Sequence, residues 1–191
     1  MKKIIIALLF SFTPLLSHAG IFIEPSFNYT LSGSSEFTTS AGSGSFKLGG
    51  YSMMGKLGFS NLGFSIGGLV ERAKTDSENE STSTKSYGWT TRYGGFIGYQ
   101  LPVMLGFGVA YLLPPSGVKS SLSSSMLSFS AGYSIIPLVK LTFSYSMSMQ
   151  AKYFDSSGSA QSLPHTAGEY TYEDNLKLNK MALGLAIHLS F

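Results

Sequence analysis

Three polar residues near the ends of the sequence are of the types that hydrolases combine in a catalytic triad. Glu24, His188 and Ser190 would supply an acid, a base and a nucleophile if the fold brought the two ends of the chain together. A triad also requires an oxyanion hole and an entrance for substrate, and the sequence around these residues indicates neither. We therefore predict a structural hydrogen-bond network at this place.

A second candidate lies in the long polar stretch at 155–175. His165 shares this stretch with Asp155 and Glu169, so a histidine and two acids could meet at the rim of the fold. The histidine follows Pro164 and has no companion motif in the other polar stretches, which is typical of a solvated residue. We predict no catalytic residue, and an enzyme that modifies lipid or protein is the third of our functional hypotheses.

A run of alternating acidic residues is a third candidate site, because carboxylates can bind a metal ion. Asp76, Glu78 and Glu80 have the spacing that opens an EF-hand calcium loop. The sixth position of that loop is Ser81 instead of glycine, and the twelfth is Tyr87 instead of a bidentate glutamate. The chain has no cysteine and therefore no thiolate ligand. We predict neither a metal site nor a cofactor, and a weak divalent contact in this acidic loop stays open as the alternative.

The elements that position these residues follow from alternating apolar and polar residues. The stretch VKLTFSYSMSMQAKY at 139–153 alternates without interruption, which is the period of a β-strand whose successive side chains point to opposite faces. Each predicted segment is about as long as the 9–11 residues that a tilted strand needs to cross a bilayer. The eight predicted segments are 21–32, 45–59, 63–72, 87–99, 104–113, 122–135, 139–153 and 176–191.

The connections between these segments are alternately short and long. The short ones are 60–62, 100–103 and 136–138, whereas the long polar ones are 32–44, 73–86, 114–121 and 155–175. An even number of strands with short turns at one end and long loops at the other is typical of an outer-membrane barrel. The sequence therefore predicts an all-β fold, an eight-stranded antiparallel up-and-down transmembrane β-barrel.

A soluble β-sandwich also alternates, and two features favour the barrel over it. The polar face consists mostly of Ser, Gly, Thr and Ala, which suits the narrow interior of a small barrel. Aromatic residues on the apolar face gather near the strand ends, as they do at the two membrane interfaces. The predicted aromatic girdle consists of Tyr29, Phe59, Phe64, Trp89, Tyr99, Tyr111, Tyr133 and Tyr153.

We interpret every charge within the membrane-spanning part of the strands as belonging to the polar, inward face. A lysine or arginine turned to lipid at mid-depth would cost about 2–4 kcal/mol, so we expect these residues to point into the lumen. Acids and bases confined there must pair, because a lone buried charge is costly. We expect Glu24 to contact Lys56 or Lys140, with the choice left open. The predicted lumen network is Glu24, Lys56, Glu71, Arg92, Lys140, Lys152 and His188.

The first nineteen residues have the layout of a cleaved secretory signal peptide. Lys2 and Lys3 precede an apolar run, and a small-x-small site ends at Ala19. We predict a signal peptide at 1–19 and one barrel domain at 20–191. Without those two lysines, the thirteen basic residues become eleven, against ten acidic ones. Such a balance leaves no basic stripe and predicts no nucleic-acid partner.

The terminal sequence GLAIHLSF resembles the C-terminal assembly signal of outer-membrane barrels. Its characteristic positions here are Gly184, Ile187, Leu189 and Phe191, and Ala182 stands where the usual signal has a polar residue. In architecture the mature chain resembles the small eight-stranded barrels of the OmpX, opacity-protein and OmpA-transmembrane type. The resemblance implies a bacterial outer-membrane location. It also implies the barrel-assembly machinery, outer-membrane lipid and lipopolysaccharide as partners.

No family-specific functional motif accompanies this resemblance. Our first hypothesis is a non-enzymatic barrel with a role in envelope structure, or in adhesin-like interaction with a host or surface ligand through four extracellular loops. The second is a narrow channel for small or hydrophobic solutes, because many lumen positions are small. Arg92 distinguishes the two, since its loss should weaken a plugged barrel but open a channel.

Overall fold

The computed structural model describes residues 20–79, 83–101, 104–119, 121–136, 138–173 and 175–191. The predicted signal peptide at 1–19 lies outside the described residues. Among the residues that are described, no helix is both long and apolar enough to span a bilayer.

Eight long strand segments form one closed antiparallel ring. The first seven are β1 (Gly20–Thr39), β2 (Gly42–Asn61), β3 (Phe64–Asn79), β4 (Lys85–Gln100), β5 (Leu105–Leu112), β6 (Ser121–Ile136) and β7 (Val139–Phe154). Three short strands follow, namely β8 (Ala160–Gln161), β9 (His165–Ala167) and β10 (Tyr170–Tyr172). The eighth long segment is divided at His188 into β11 (Lys177–Ile187) and β12 (Leu189–Ser190).

Closure is achieved by the pairing of the first and last long segments. Consecutive long strands pair from β1 to β7, β7 pairs with β11, and β1 pairs with β2 on one side and with β11 and β12 on the other. A closed ring leaves no unpaired strand edge within a bilayer, where each unsatisfied backbone group would cost several kcal/mol. The predicted eight-stranded up-and-down barrel is confirmed.

The outer surface of the ring is apolar and the inner surface is packed. Along β11 the small residues Ala182 and Ala186 are buried, whereas their neighbours Leu183 and Leu185 are exposed. A continuous exposed apolar belt fits lipid and not water, so the fold is that of an outer-membrane barrel. Members of this belt include Ile23, Phe27, Leu57, Ile66, Ile97, Phe107, Phe129, Phe143, Leu183 and Leu185.

Two of the four long loops that the sequence predicts are in fact continued strands. β1 and β2 stay paired as far as Thr39 opposite Gly42, and β3 and β4 as far as Glu78 opposite Lys85. The predicted loops at 32–44 and 73–86 were therefore wrong over most of their length. The reason is that both faces of a hairpin meet water beyond the membrane, so the strand there carries no apolar alternation.

Seven of the eight predicted girdle residues lie exposed on the outer face, and the rings of Phe64 and Tyr99 are 4.5 Å apart. Tyr153 is the exception and was wrongly predicted, because only 8% of its surface is exposed. The connection after β7 covers it: the ring of His165 stacks on Tyr153 at 4.7 Å, and the ring of Tyr172 lies at 5.0 Å.

Candidate functional site

An ion cluster occupies the lumen at the short-turn end of the barrel. The Glu24 carboxylate accepts from the Lys56 ammonium at 2.9 Å on Oε1 and from the Lys140 ammonium at 3.2 Å on Oε2. The Nδ1 atom of His188 lies 3.0 Å from the same Oε2. Glu24 and Lys56 are direct register partners, whereas Lys140 and His188 reach Glu24 only because the ring closes. The structure thus places both candidate lysines against Glu24.

This lower cluster, Glu24, Lys56, Lys140 and His188, has more positive than negative charge. The Glu24 carboxylate is buried and is shared by two ammonium groups. An aromatic ring partly stabilises the excess positive charge, since the Lys56 ammonium lies 5.5 Å from the centre of the Phe96 ring. The ring of Phe22 stacks on His188 at 5.0 Å and limits its rotation.

A second ion cluster lies in the lumen nearer the long connections. The Lys180 ammonium donates to Glu71 at 3.1 Å, and Arg92 is the direct register partner of Glu71 on β4. The Arg92 guanidinium donates to the carbonyl oxygens of Ser124 at 2.7 Å and Leu113 at 3.3 Å. We call Glu71, Arg92 and Lys180 the upper cluster.

The sequence analysis missed Lys180. The signal for it was present, because Lys180 has the same parity as Ala182 on the eighth segment, and Ala182 is buried in the lumen. The predicted segment 176–191 already includes Lys180, so both its strand and its parity were known and the residue was simply left out of the predicted network.

An apolar cluster separates two cavities in the lumen. The lower cavity, of about 500 Å³, is lined by the lower ion cluster and by short turns; the upper one, of about 280 Å³, is lined by the upper ion cluster. The two cavities have no lining residue in common. One buried apolar cluster reaches from the first cavity to the second and consists of Phe22, Leu69, Phe96, Leu112 and Met126.

Lys152 was wrongly predicted as a lumen residue. Its side chain is exposed, although it has the parity of Lys140 on the same strand. β7 pairs with β11 only as far as Met147 opposite Asn179 and pairs with β8 near its outer end. The wall that encloses the lumen beside β11 therefore ends below Lys152.

The described contacts do not form a catalytic triad from Glu24, His188 and Ser190, nor do they bring His165 against Asp155. Ser190 is exposed and pairs through its backbone with Phe22, and the described hydrogen bonds include none between its hydroxyl and His188. His165 stacks on Tyr153 instead of meeting Asp155. Among the described residues, the hydrogen-bond partners of Glu24 are Lys56, Lys140 and His188, and none of them is a nucleophilic hydroxyl.

Asp155 caps the turn that follows β7. Its Oδ1 atom accepts from the Ser157 hydroxyl at 2.6 Å and from the backbone N–H groups of Ser157 and Ser159, each at 2.9 Å. Its Oδ2 atom accepts from the Gln161 side chain at 3.2 Å. These bonds favour the ionised carboxylate, and the Ser157 hydroxyl contributes most in holding the pKa of Asp155 at about 2, below its ordinary 3.8.

We expect the Asp155 carboxyl carbon to titrate near pH 2 in the refolded barrel. A lowered pKa means that the stabilisation of this turn is complete above pH 3.8 and is lost as the pH falls through about 2. A ¹³C NMR titration in detergent micelles measures it, with Asp155→Asn identifying the resonance. Titration at the ordinary pKa would mean that the capped turn does not form in solution.

The described part of the acidic segment on β3 contains no cluster of metal-ligating side chains. Glu78 lies 3.8 Å from the Lys85 ammonium, and Glu80 lies outside the described residues. In the part of the chain that the structure describes, no three metal-ligating side chains lie close enough to hold an ion.

The residues of the predicted assembly signal lie on the closing segment. Ile187, Leu189 and Phe191 are exposed on the apolar outer face. Gly184 is buried opposite Asn28, and a Cβ atom there would collide with the Asn28 amide oxygen and with the backbone of Phe27. Glycine at this position therefore lets β1 and β11 close the ring. Recognition by the assembly machinery stays a prediction.

Comparisons with known proteins give similarities of structure alone. No protein-family model matches the sequence, and no characterised protein matches it significantly. The structure is similar to Neisserial surface protein A, with a TM-score of 0.43 and 15% identity over 87% of this chain and 96% of that one. It is also similar to the outer membrane protease OmpT from Escherichia coli, with a TM-score of 0.36 and 10% identity over 90% and 97%.

A third similarity is to the toluene transporter TbuX of Ralstonia pickettii, with a TM-score of 0.26 and 9% identity over 90% of each chain. These three proteins differ in their named roles, and none of the similarities bears on what this chain binds or does.

Proposed function

We propose that this protein is a plugged, non-enzymatic outer-membrane barrel that supports the envelope and presents its outer connections to surface partners. The observation that carries the proposal is the buried apolar cluster, which lies between the two ion clusters in the lumen. Paired charges and packed side chains stabilise a barrel but obstruct the passage of solutes.

The outer ends of the strands support the surface part of this proposal. The β1–β2 and β3–β4 hairpins extend beyond the apolar belt as paired strands. β10 joins the outer end of β1, and β8 joins the outer end of β7. Paired strands present their side chains in a defined arrangement, which favours specific contact with another molecule at low ordering cost.

The proposal predicts that the mature protein is electrically silent. We expect no discrete channel openings when the barrel is refolded into a planar lipid bilayer, after a heat-shift gel has established folding. The physical reason is that ions would have to cross the apolar cluster without hydration. A large porin in the same bilayer is the positive control.

A narrow channel is the second candidate, and the lower cavity is the observation that favours it. Its volume of about 500 Å³ lies within the range of small-molecule sites, and the small residues Gly98, Gly106 and Gly108 are part of its lining. A channel would require the apolar cluster to move aside. Reproducible single openings in the bilayer experiment would therefore reject the plugged barrel in favour of this candidate.

A further inference from the structure

Two basic side chains point out of the barrel, unlike the paired lysines of the lumen. The expectation that every charge within the predicted strands points inward was therefore wrong for Arg72, the last residue of the predicted segment 63–72. Arg72 and Lys74 lie on the outward face of β3, because their direct register partners Met53 and Trp89 are both exposed on the outside. A basic side chain facing lipid is unfavourable at mid-depth, but its cost falls to about 0–1 kcal/mol near the membrane interface. Their outward position therefore indicates an interfacial depth.

The order of side chains along β3 agrees with that depth. Val70 is apolar and exposed, Arg72 and Lys74 follow, and Asp76 and Glu78 come last on the same face. This is the order in which a strand leaves hydrocarbon, crosses the headgroup layer and enters water. The two cations thus lie at the outer edge of the apolar belt, on the side of the long connections.

Aromatic rings support both cations. The Arg72 guanidinium carbon lies 5.1 Å from the centre of the Trp89 ring. The Lys74 ammonium lies 6.0 Å from the Tyr51 ring and 5.8 Å from the Tyr87 ring. The rings of Tyr51 and Trp89 meet edge to face at 5.7 Å, so the two halves of the group are in contact. Ring faces attract a cation and restrict its motion without neutralising its charge.

No acid among the described residues forms an ion pair with either outward cation. Lys56, Lys140 and Lys180, by contrast, all pair with glutamates in the lumen. The N–H donors of the two outward cations are therefore available to an external anion. At this depth the anions that a membrane supplies are lipid headgroups.

An apolar surface continues below the cations. Met53 is the register partner of Arg72, and Phe27 is the register partner of Met53. Both are about half exposed, as is Val70 beside them. A lipid whose anionic group contacted the cations would thus have its acyl chains against this surface.

We propose that Arg72 and Lys74, framed by Tyr51, Tyr87 and Trp89, bind a phosphate group of lipopolysaccharide in the outer leaflet. Guanidinium and ammonium groups are the usual ligands of phosphate, and two cations suit a group that carries close to two negative charges. The inference depends on the proposed function only in requiring that the barrel span the outer membrane. It is independent of whether the lumen conducts.

The test is the affinity of the full mature barrel for lipopolysaccharide that lacks its O-antigen. The refolded protein in neutral detergent micelles is titrated with the fluorescently labelled lipid. Each basic residue near an anionic surface contributes a factor of about five, so the double variant Arg72→Ala/Lys74→Ala should bind about 25-fold more weakly. The matched control, Lys85→Ala/Lys177→Ala, also removes two exposed lysines and should bind like the wild type.

Three outcomes distinguish a site for lipid phosphate from a site for free phosphate and from no site at all. Enzymatically dephosphorylated lipopolysaccharide should bind the wild type and the double variant equally weakly. Full displacement of the labelled lipid by inorganic phosphate would overturn the lipid assignment in favour of a free-phosphate site. Equal affinity of the wild type and the folded double variant for the intact lipid would overturn the site itself. Channel openings in the bilayer experiment would reject the plugged barrel but leave this affinity unchanged.

Discussion

Replacing Glu24 with glutamine should lower the free energy of unfolding of the barrel by about 3–5 kcal/mol. Glutamine keeps the size of the side chain but removes the charge that Lys56 and Lys140 share at 2.9 and 3.2 Å. The side chains of these lysines are only 20% and 16% exposed, so water is a poor replacement for the lost carboxylate. Two like charges would then face each other in the lumen.

Urea unfolding of the barrel in lipid vesicles measures this loss. Glu78→Gln is a matched control, because the same chemical change is made in a pair with Lys85 that is 3.8 Å apart and largely exposed. Exposed pairs contribute about 0–1 kcal/mol, so this control should change little. Equal losses in the two variants would mean that the lumen pairs are as well hydrated as surface pairs.

A triple variant that removes all three charges tests whether the instability of Glu24→Gln comes from unpaired lysines or from the altered shape of the side chain. Glu24→Gln combined with Lys56→Met and Lys140→Met removes the carboxylate together with both ammonium groups that it binds. Replacing a whole buried ion cluster with apolar groups of similar size is often neutral. We therefore expect most of the stability to return, and a variant as unstable as Glu24→Gln alone would contradict the electrostatic explanation.

Replacing Arg92 with alanine should cost about 3 kcal/mol and leave the barrel electrically silent. The change removes two hydrogen bonds from the guanidinium to the carbonyl oxygens of Leu113 and Ser124, and it removes the positive charge directly opposite Glu71. Hydrogen bonds from a buried charge contribute about 1.5–3 kcal/mol each. Conductance should stay absent because the apolar cluster, with Phe96 and Met126, is untouched.

Arg72→Ala is the matched control for this prediction. It makes the same substitution on the outer face, where the guanidinium lies over the Trp89 ring. An exposed cation–π contact contributes about 0.5–1 kcal/mol, so the control should be clearly more stable than Arg92→Ala. Discrete openings in Arg92→Ala but not in the wild type would show that Arg92, and not the apolar cluster, closes the lumen.

Strand alternation could be predicted with good accuracy wherever the barrel meets lipid. The segment at 139–153 corresponds to Val139–Phe154, and 104–113 corresponds to Leu105–Leu112. The boundaries failed at 32–44 and 73–86, where the chain remains paired as β1–β2 and β3–β4. Lipid imposes an apolar face and therefore leaves a pattern in the sequence. Water on both sides imposes none, so a projecting hairpin of Ser, Thr and Gly has the composition of a loop.

Parity predicts which way a side chain points within the belt but not beyond it. Glu24 and Arg92 point into the lumen as their parity indicates, whereas Lys152 has the same parity as Lys140 and is exposed. Tyr153 likewise has the parity of the outer face and is buried under His165 and Tyr172. In both cases a distant connection decides the environment, and its position depends on how the whole ring closes.

The sequence by itself determined the class of the protein, because the alternation, the short and long connections and the small polar face all result from the constraint of a strand between lipid and a narrow lumen. The tertiary structure alone decided which charges meet. Lys56 is next to Glu24 by simple hairpin register, but Lys140 and His188 reach it only through closure. It also decided that Arg72 and Lys74 would stand against aromatic rings of two neighbouring strands. Such contacts depend on the register and tilt of separate strands, which the pattern along any one strand does not encode.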